Sequence, residues 1–534
     1  MGGPTTETDR RETSREIGAG AADDRPPRDF RSILFSDGER DLRADQPACF
    51  RDLNLDQVVA AVVARREQYA LTAFFQTPLR TADEVAYRHE VFRDVEAESL
   101  RRDVAAFADE MRNVRAYLGL VGKQHFRLEK QRWLLDAALA YCAAINDLYA
   151  ALRRIDLRSR GLRSFRDYLG AYVGSDQLGV VASEAGDVAS GLAGVRYTAR
   201  IKGGRVTVAA YDGEDDATAE VERTFARFRA GVAESHLITI PDSGSMGHVE
   251  AEIAERVARL FPDEFRALDE FCARHGDFLD SAIVRFDREV QFYLAYLEHV
   301  ERLSTLPLAY PEIVSDWGGT LVEGGWDIAL AGTARSGASP PVVANGFAFE
   351  RRERVLVVTG PNQGGKTTFA RMVGQLHYLA SLGLPVPAAR ARLALAAEVC
   401  TVFGQREDIS TLRGRLDDEL VRLKAILDQA SDRSLILLNE VFGSTSVADA
   451  VFLGGEILAR IAKLGCAAVW VTFADELASF GEETVSMVAG VEPDDQTKRT
   501  FAITRRPADG RAYAWAIAEK YGISYDALKQ RVTR

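Results

Sequence analysis

The sequence predicts a multidomain protein, a mostly α-helical region followed by an α/β domain. Three observations carry this. The chain has 534 residues, several times the roughly 150 that one domain usually takes. From Phe30 to about Tyr310 apolar residues recur at helical spacing, whereas after Pro311 short apolar runs and Gly-rich turns replace them. Hydrophobic residues make up 47% and charged residues 27%, with 43 glycines and 16 prolines, which excludes a disordered or fibrous chain.

Taken in order, residues 1–29 hold only Met1 and Ile17 as large apolar groups. That stretch cannot bury enough surface to offset the entropy of ordering, so a disordered tail is expected. A helical region over 30–310 follows. Asn54-Leu55-Asp56 reads as a helix start, with Val58, Val59, Val62 and Val63 on one face. Similar periods run through Ala105 to Leu118, Trp133 to Leu152, Val249 to Leu260 and Phe265 to Leu303. The last predicts one helix of nearly forty residues, an arm of about 50 to 60 Å. Near 195–208 the period changes to alternation around Lys202-Gly203-Gly204, a β-hairpin signature. Six arginines between Arg153 and Arg166 read as a solvated helix face because Asp156 and Asp167 lie among them, with phosphate contact as the alternative.

The balance of 67 basic and 79 acidic residues gives a net charge of −12, which excludes a generally basic coat as the route to nucleic acid. A local patch or an enclosing clamp remains open. Cys49, Cys142, Cys272, Cys400 and Cys466 stand singly, without paired spacing for zinc or a redox dithiol, and read as reduced core thiols. No apolar run reaches the roughly 18 residues of a membrane span, and no signal-like stretch opens the chain. A cytoplasmic protein with no membrane partner is expected.

The domain over 311–534 carries three continuous apolar runs: Val355-Leu356-Val357-Val358, Leu435-Ile436-Leu437-Leu438 and Ala468-Val469-Trp470-Val471. Helical sequence separates them, as for strands buried on both faces of a parallel sheet. The first run leads into Thr359-Gly360-Pro361-Asn362-Gln363-Gly364-Gly365-Lys366-Thr367-Thr368, followed by helical sequence. This is GxxxxGKT between strand and helix, a P-loop. Glycines let amides close around phosphate, Lys366 can reach the β/γ oxygens, and the Thr367 hydroxyl can bind Mg²⁺. ATP and Mg²⁺ are the expected ligands. The second run ends in Asn439-Glu440, where a P-loop ATPase usually has Asp-Glu. Glu440 is the candidate general base, and Thr367, Asn439 and Glu440 are the metal-side groups, Asn439 without a negative charge.

The loop resembles the GPNMGGKST loop of the MutS DNA mismatch-repair ATPases, and later segments agree in order. Val386-Pro387-Ala388 is similar to the family's VPA, Ser434 to Ser446 to SLVLMDEIGRGTS, Ala468 to Leu477 to LFATHYFEL, and Gly510 to Ala518 to its GxSxGxxVA close. A looser likeness begins at Leu71-Thr72-Ala73-Phe74-Phe75-Gln76-Thr77-Pro78-Leu79. The resemblance implies an ABC-like P-loop NTPase fold, helical core and lever arms, and double-stranded or structured DNA as partner. It also implies a homodimer through the ATPase domain. By the same likeness Asn345 and Phe347 are candidates to wall the adenine, although Asn-Gly turn chemistry explains them equally.

The departures shape the expected mechanism. Some forty residues and a tail precede Leu71, too few for the family's mismatch-reading domain, so mismatch reading by that route is not expected. Phe473 replaces the family's His and leaves Thr472 to face the γ-phosphate. Gly414-Arg415-Leu416 stands where the family has its Ser-Thr signature, with Ser410 or Arg415 as substitutes and a helix-start arginine as the plainer reading. The expected function is ATP binding with slow hydrolysis gating a dimeric DNA clamp, in mismatch repair or related DNA processing. The rival readings are an ABC- or SMC-type ATPase acting on a non-DNA partner, and a nucleotide-binding interaction protein with little hydrolysis.

Overall fold

The computed structural model describes residues 30–38, 40–213, 246–303, 306–334, 342–404, 414–495 and 497–508. The predicted tail, Ser410 and the segment 510–518 lie outside them.

Long helices fill the first part of the chain. Thr81 caps Ala82–Val95, its hydroxyl accepting from the Glu84 amide while Glu84 returns the bond to the Thr81 amide. Glu98–Lys123 packs along Arg127–Arg154, and Arg160–Val173 and Asp176–Ala193 close the layer. Arg127–Arg154 is long and apolar enough to span a bilayer, yet 56% of its most apolar stretch is buried against its neighbours, as in a core helix. The hairpin pairs β1 (Tyr197–Lys202) with β2 (Arg205–Ala210) through Gly203 and Gly204, both at positive φ. That backbone matches the right-handed twist of the flanking strands.

The forty-residue arm is broken. Pro262–Arg274 and Ser281–Leu303 are separate helices, with His275–Asp280 between them. The Asp280 carboxylate starts the second by accepting from the Ala282 and Ile283 amides at 2.9 and 3.0 Å. Of the six arginines, Arg160 pairs with Glu90 and Asp83, and Arg166 with Asp167, so the charge of these two is spent on neighbours. All five cysteines are free thiols, with Cys49, Cys142 and Cys466 buried.

The C-terminal part holds two sheets. Four strands, β3 (Glu312–Val314), β4 (Leu321–Gly325), β5 (Asn345–Ala348) and β7 (Arg390–Ala394), form one in the order β3-β7-β4-β5. The other contains β6 (Val355–Thr359), β8 (Glu398–Phe403), β9 (Ser434–Asn439), β10 (Ala467–Val471), β11 (Thr484–Val491) and β12 (Arg499–Arg505), in the order β12-β11-β6-β10-β9-β8. β11, β6, β10, β9 and β8 run parallel, and β12 is the antiparallel edge. Every residue of β6, β9 and β10 is buried, which explains their unbroken apolar character.

Helix Lys366–Ser381, directly after the Gly-rich loop, joins the two parts of the chain. Its Gln375 side chain donates to Leu53 O at 2.9 Å, and Arg371 Nε donates to Asp52 O at 2.9 Å. At its far end, Leu79 N–H donates to Ser381 O at 2.7 Å, and the buried Arg88 guanidinium donates to Leu382 O at 2.7 Å. Carbonyls that a helix end leaves unpaired are thus satisfied by the helical region, with a cation at the negative end of the helix dipole. One apolar cluster, from Phe30 to Ile503, spans both parts.

Candidate functional site

The strand β6 delivers the chain to a loop whose backbone only glycines and one strained residue tolerate. Gly360 has φ +108°, Gln363 φ +61° and Gly365 φ +90°. A Cβ on Gly360 would lie 3.1 Å from the Ala489 N and O, and one on Gly364 would lie 2.9 Å from Pro361 O. Backbone therefore approaches backbone closely, and the loop curls into a nest of amides. Helix Lys366–Ser381 begins at its end with no side chain capping its first turn. Its free N–H groups and dipole favour an anion there.

A cavity of about 540 Å³ opens over this nest, within the size range of small-molecule sites. Asn362 to Thr368 line it, together with Asn345, Glu440 and Phe501. The Lys366 ammonium is buried and folded back on the loop, donating to Gly360 O at 2.8 Å, Pro361 O at 3.2 Å and Asn362 Oδ1 at 3.3 Å. Burial pushes its pKa down, Glu440 opposes that, and the Arg499 guanidinium adds to it. Carbonyls are weak substitutes for phosphate oxygens, so the ammonium is placed for exchange onto an anion.

The Thr367 hydroxyl donates to Asn439 Oδ1 at 2.9 Å, which puts two metal-side oxygens together at the end of β9. Among the described residues no group of three or more His, Cys, Asp or Glu could hold a metal. These two oxygens fit Mg²⁺ that arrives with a phosphate chain and keeps most of its own waters. Glu440 follows Asn439 at φ +53°, its amide donating to Val471 O at 2.9 Å, and its exposed side chain reaches the cavity.

Two candidates lie elsewhere. Phe347 does not wall the cavity: it is buried, packing on Phe369 at 6.1 Å and His377 at 6.4 Å between ring centroids. Thr472 does not face the cavity either, because it is drawn inward; its N–H donates to Val358 O at 3.1 Å and its hydroxyl accepts from the Ala474 amide at 3.1 Å. Gly360 and Pro361 act through their carbonyls on Lys366 and not as lining. Helix Arg415–Gln429 does begin at Arg415.

Phe501 is the aromatic that sequence reasoning missed. It stands on β12 at φ +57°, with its Cα 3.7 Å from where a Cβ on Gly365 would be. Asn345 holds it there, donating to Phe501 O at 3.2 Å and accepting from the Ile503 amide at 2.6 Å. With its amide engaged on both sides, Asn345 is a brace for β12 more than a reader of a base. The flanking Lys498-Arg499 was the one local hint of a loop-facing segment.

Residues 356–529 match the family model for MutS domain V. The chain is 30% identical over 200 residues to the DNA mismatch repair protein MutS of Chloroflexus aurantiacus, covering 36% of this chain and 21% of that protein. It is 30% identical over 184 residues to MutS of Thermotoga sp. strain RQ2, covering 34% and 23%, and the same holds for Thermotoga maritima. The matched region thus spans less than a quarter of the length of these relatives.

Proposed function

With residues 356–529 belonging to the MutS family through its domain V, we propose that the chain binds Mg·ATP in the cavity over the Gly-rich loop, hydrolyses it slowly, and uses the cycle to move a DNA-engaging helical region. The observation that carries this is the Lys366 ammonium held on loop carbonyls at the mouth of an uncapped helix. Loop amides and Lys366 hold the phosphates. Thr367 and Asn439 hold Mg²⁺, whose charge offsets that of the phosphates. Glu440 takes a proton from the attacking water as that oxygen bonds to the γ-phosphorus and the bond to ADP breaks, giving ADP and phosphate.

Motion is passed through helix Lys366–Ser381, whose start forms the nest and whose end is held by Leu79 and Arg88. Exposed Val447, Phe452, Phe473 and Phe480, on the segments after β9 and β10, support a second copy docking on this face of the ATPase domain. Asn439 in place of a carboxylate, together with the inward turn of Thr472, favours binding over turnover.

The test is steady-state hydrolysis with mismatched, branched and plain duplex DNA and without DNA, for the native protein and Glu440→Ala. DNA is expected to change the rate, and Glu440→Ala to lower it by about a hundredfold or more. A rate indifferent to every DNA favours a non-DNA partner. A rate unchanged in Glu440→Ala leaves the nucleotide as a structural ligand.

A further inference from the structure

Edge strands of a sheet do not ordinarily reach across to a neighbouring loop, and β12 does so because it is bulged. Its register against β11 passes from Ala489↔Ile503 to Val491↔Arg499, so Thr500 to Ala502 face Gly490 as an excess. A Cβ on Gly490 would lie 2.5 Å from the Thr500 hydroxyl, so glycine is what lets the bulge close. Phe501 takes its left-handed φ inside the bulge. A non-glycine residue there is strained and persists where the surroundings impose it. Bulges of this kind re-aim side chains beside functional sites.

Here the bulge turns Arg499 onto the loop, where Arg499 Nε donates to Asn362 O at 3.2 Å. On the other side of the same residue, Lys366 Nζ donates to Asn362 Oδ1 at 3.3 Å. Two cations therefore meet on Asn362, which lines the cavity. In a P-loop the helix N-terminus and loop amides surround the inner phosphates, and the lysine reaches the β/γ oxygens. The Lys366 ammonium thus marks the outer end of the phosphate chain, and Arg499, which does not itself line the cavity, bonds the same residue, Asn362, from the other side. On the segment after β10, Thr472 is turned inward and Phe473 carries no charge, while the Asp475 carboxylate acts on Lys366.

Resting on the assignment of the cavity to ATP, we propose that Arg499 contacts the terminal phosphate and makes the site prefer a nucleoside triphosphate over a diphosphate. The guanidinium is supplied within the same chain by the bulge of β12. It offers a planar fork of donors to phosphate oxygens. Its exchange from Asn362 O to phosphate also frees that carbonyl, so occupancy of the γ position is transmitted to β12 and, through Asn345, to β5.

Calorimetric titration of the full chain with Mg·ATP and with Mg·ADP tests this, using the native protein, Arg499→Ala, Arg499→Lys and Lys366→Ala. Arg499→Ala is expected to lose about tenfold or more in ATP affinity, as for a charge-assisted bond, with ADP affinity within about twofold of native. Arg499→Lys is expected to fall between. Unchanged ADP binding also reports that the variant is folded. Equal weakening of both nucleotides, or no change in either, overturns the role of Arg499 while leaving the cavity's assignment intact if Lys366→Ala loses both. A native protein that binds neither nucleotide overturns that assignment, and this one with it.

Discussion

Glu289 is 4% exposed, and its carboxylate accepts from Ser32 Oγ and the Ile33 amide, both at 2.7 Å. The segment around it is fastened at every residue: Tyr87 OH donates to Ser32 O, Tyr293 OH to Ile33 O and Arg88 Nε to Leu34 O. Burial pushes the Glu289 pKa up to about 7 from 4.5, against the pull of Ser32, Ile33, Arg285 and Arg88. The native state therefore holds a proton that the unfolded chain releases between about pH 4.5 and pH 7. This contribution to stability is complete below the unfolded value and is lost as pH rises through about 7. At 1.36 kcal/mol per unit it amounts to about 3 kcal/mol. Thermal midpoints measured across that window are expected to fall with rising pH in the native protein and to fall less in Glu289→Gln, with Asp287, which burial raises to about 6 against the pull of Arg115, supplying the remaining slope. Identical pH profiles for the two proteins contradict the assignment. At this scale the sequence made Lys366, Thr367, Asn439 and Glu440 legible, because strand ends and a fixed Gly-Lys spacing place them. It did not make Glu289 legible, since a lone glutamate in a helical period reads as a surface residue until the strap it holds is known.

Among the elements, helix Lys366–Ser381 carries a tight steric requirement at one glycine. A Cβ on Gly374 would lie 2.5 Å from Leu437 Cδ1 and 2.7 Å from Leu53 Cδ2, so β9 and the segment Cys49–Leu53 both press on this one position. Gly374→Ala is expected to lower stability by about 1 to 3 kcal/mol through overpacking, read as a lower denaturant midpoint. Gly186→Ala is the control: nothing lies within 4 Å of its Cβ, and alanine in a helix interior gains about 0.5 to 1 kcal/mol. Equal responses of the two variants contradict the packing argument. The buried strands were readable because continuous apolar runs have one use in a parallel sheet. The break at His275–Asp280 was hidden because Phe278, Ala282, Ile283 and Phe286 continue the apolar rhythm of Phe265, Leu268 and Phe271 across it. Gly276 and the cap at Asp280 were the available signals. The bulge of β12 had no such signal, since its form depends on Gly490 in another strand.

Over the whole molecule, the helical region and the C-terminal α/β part share one apolar cluster, and the helix that starts at the Gly-rich loop ends on Leu79 and Arg88. A change at the nest is therefore expected to alter how that helix is held by Leu79 and Arg88. That coupling was not legible from local patterns, which divided the chain at 311, because side-chain bonds such as Arg88 to Leu382 O span almost three hundred positions. Phe347 was misplaced for a related reason: a short strand's alternation does not say which face looks at the cavity and which at helix Lys366–Ser381. The central claim is that this nest receives a triphosphate. Isothermal titration of Mg·ATP into the native protein and Lys366→Ala tests it most directly. Saturable binding at one site per chain, abolished in Lys366→Ala, is the expected result; no heat of binding from the native protein, or the same affinity in the variant, contradicts it.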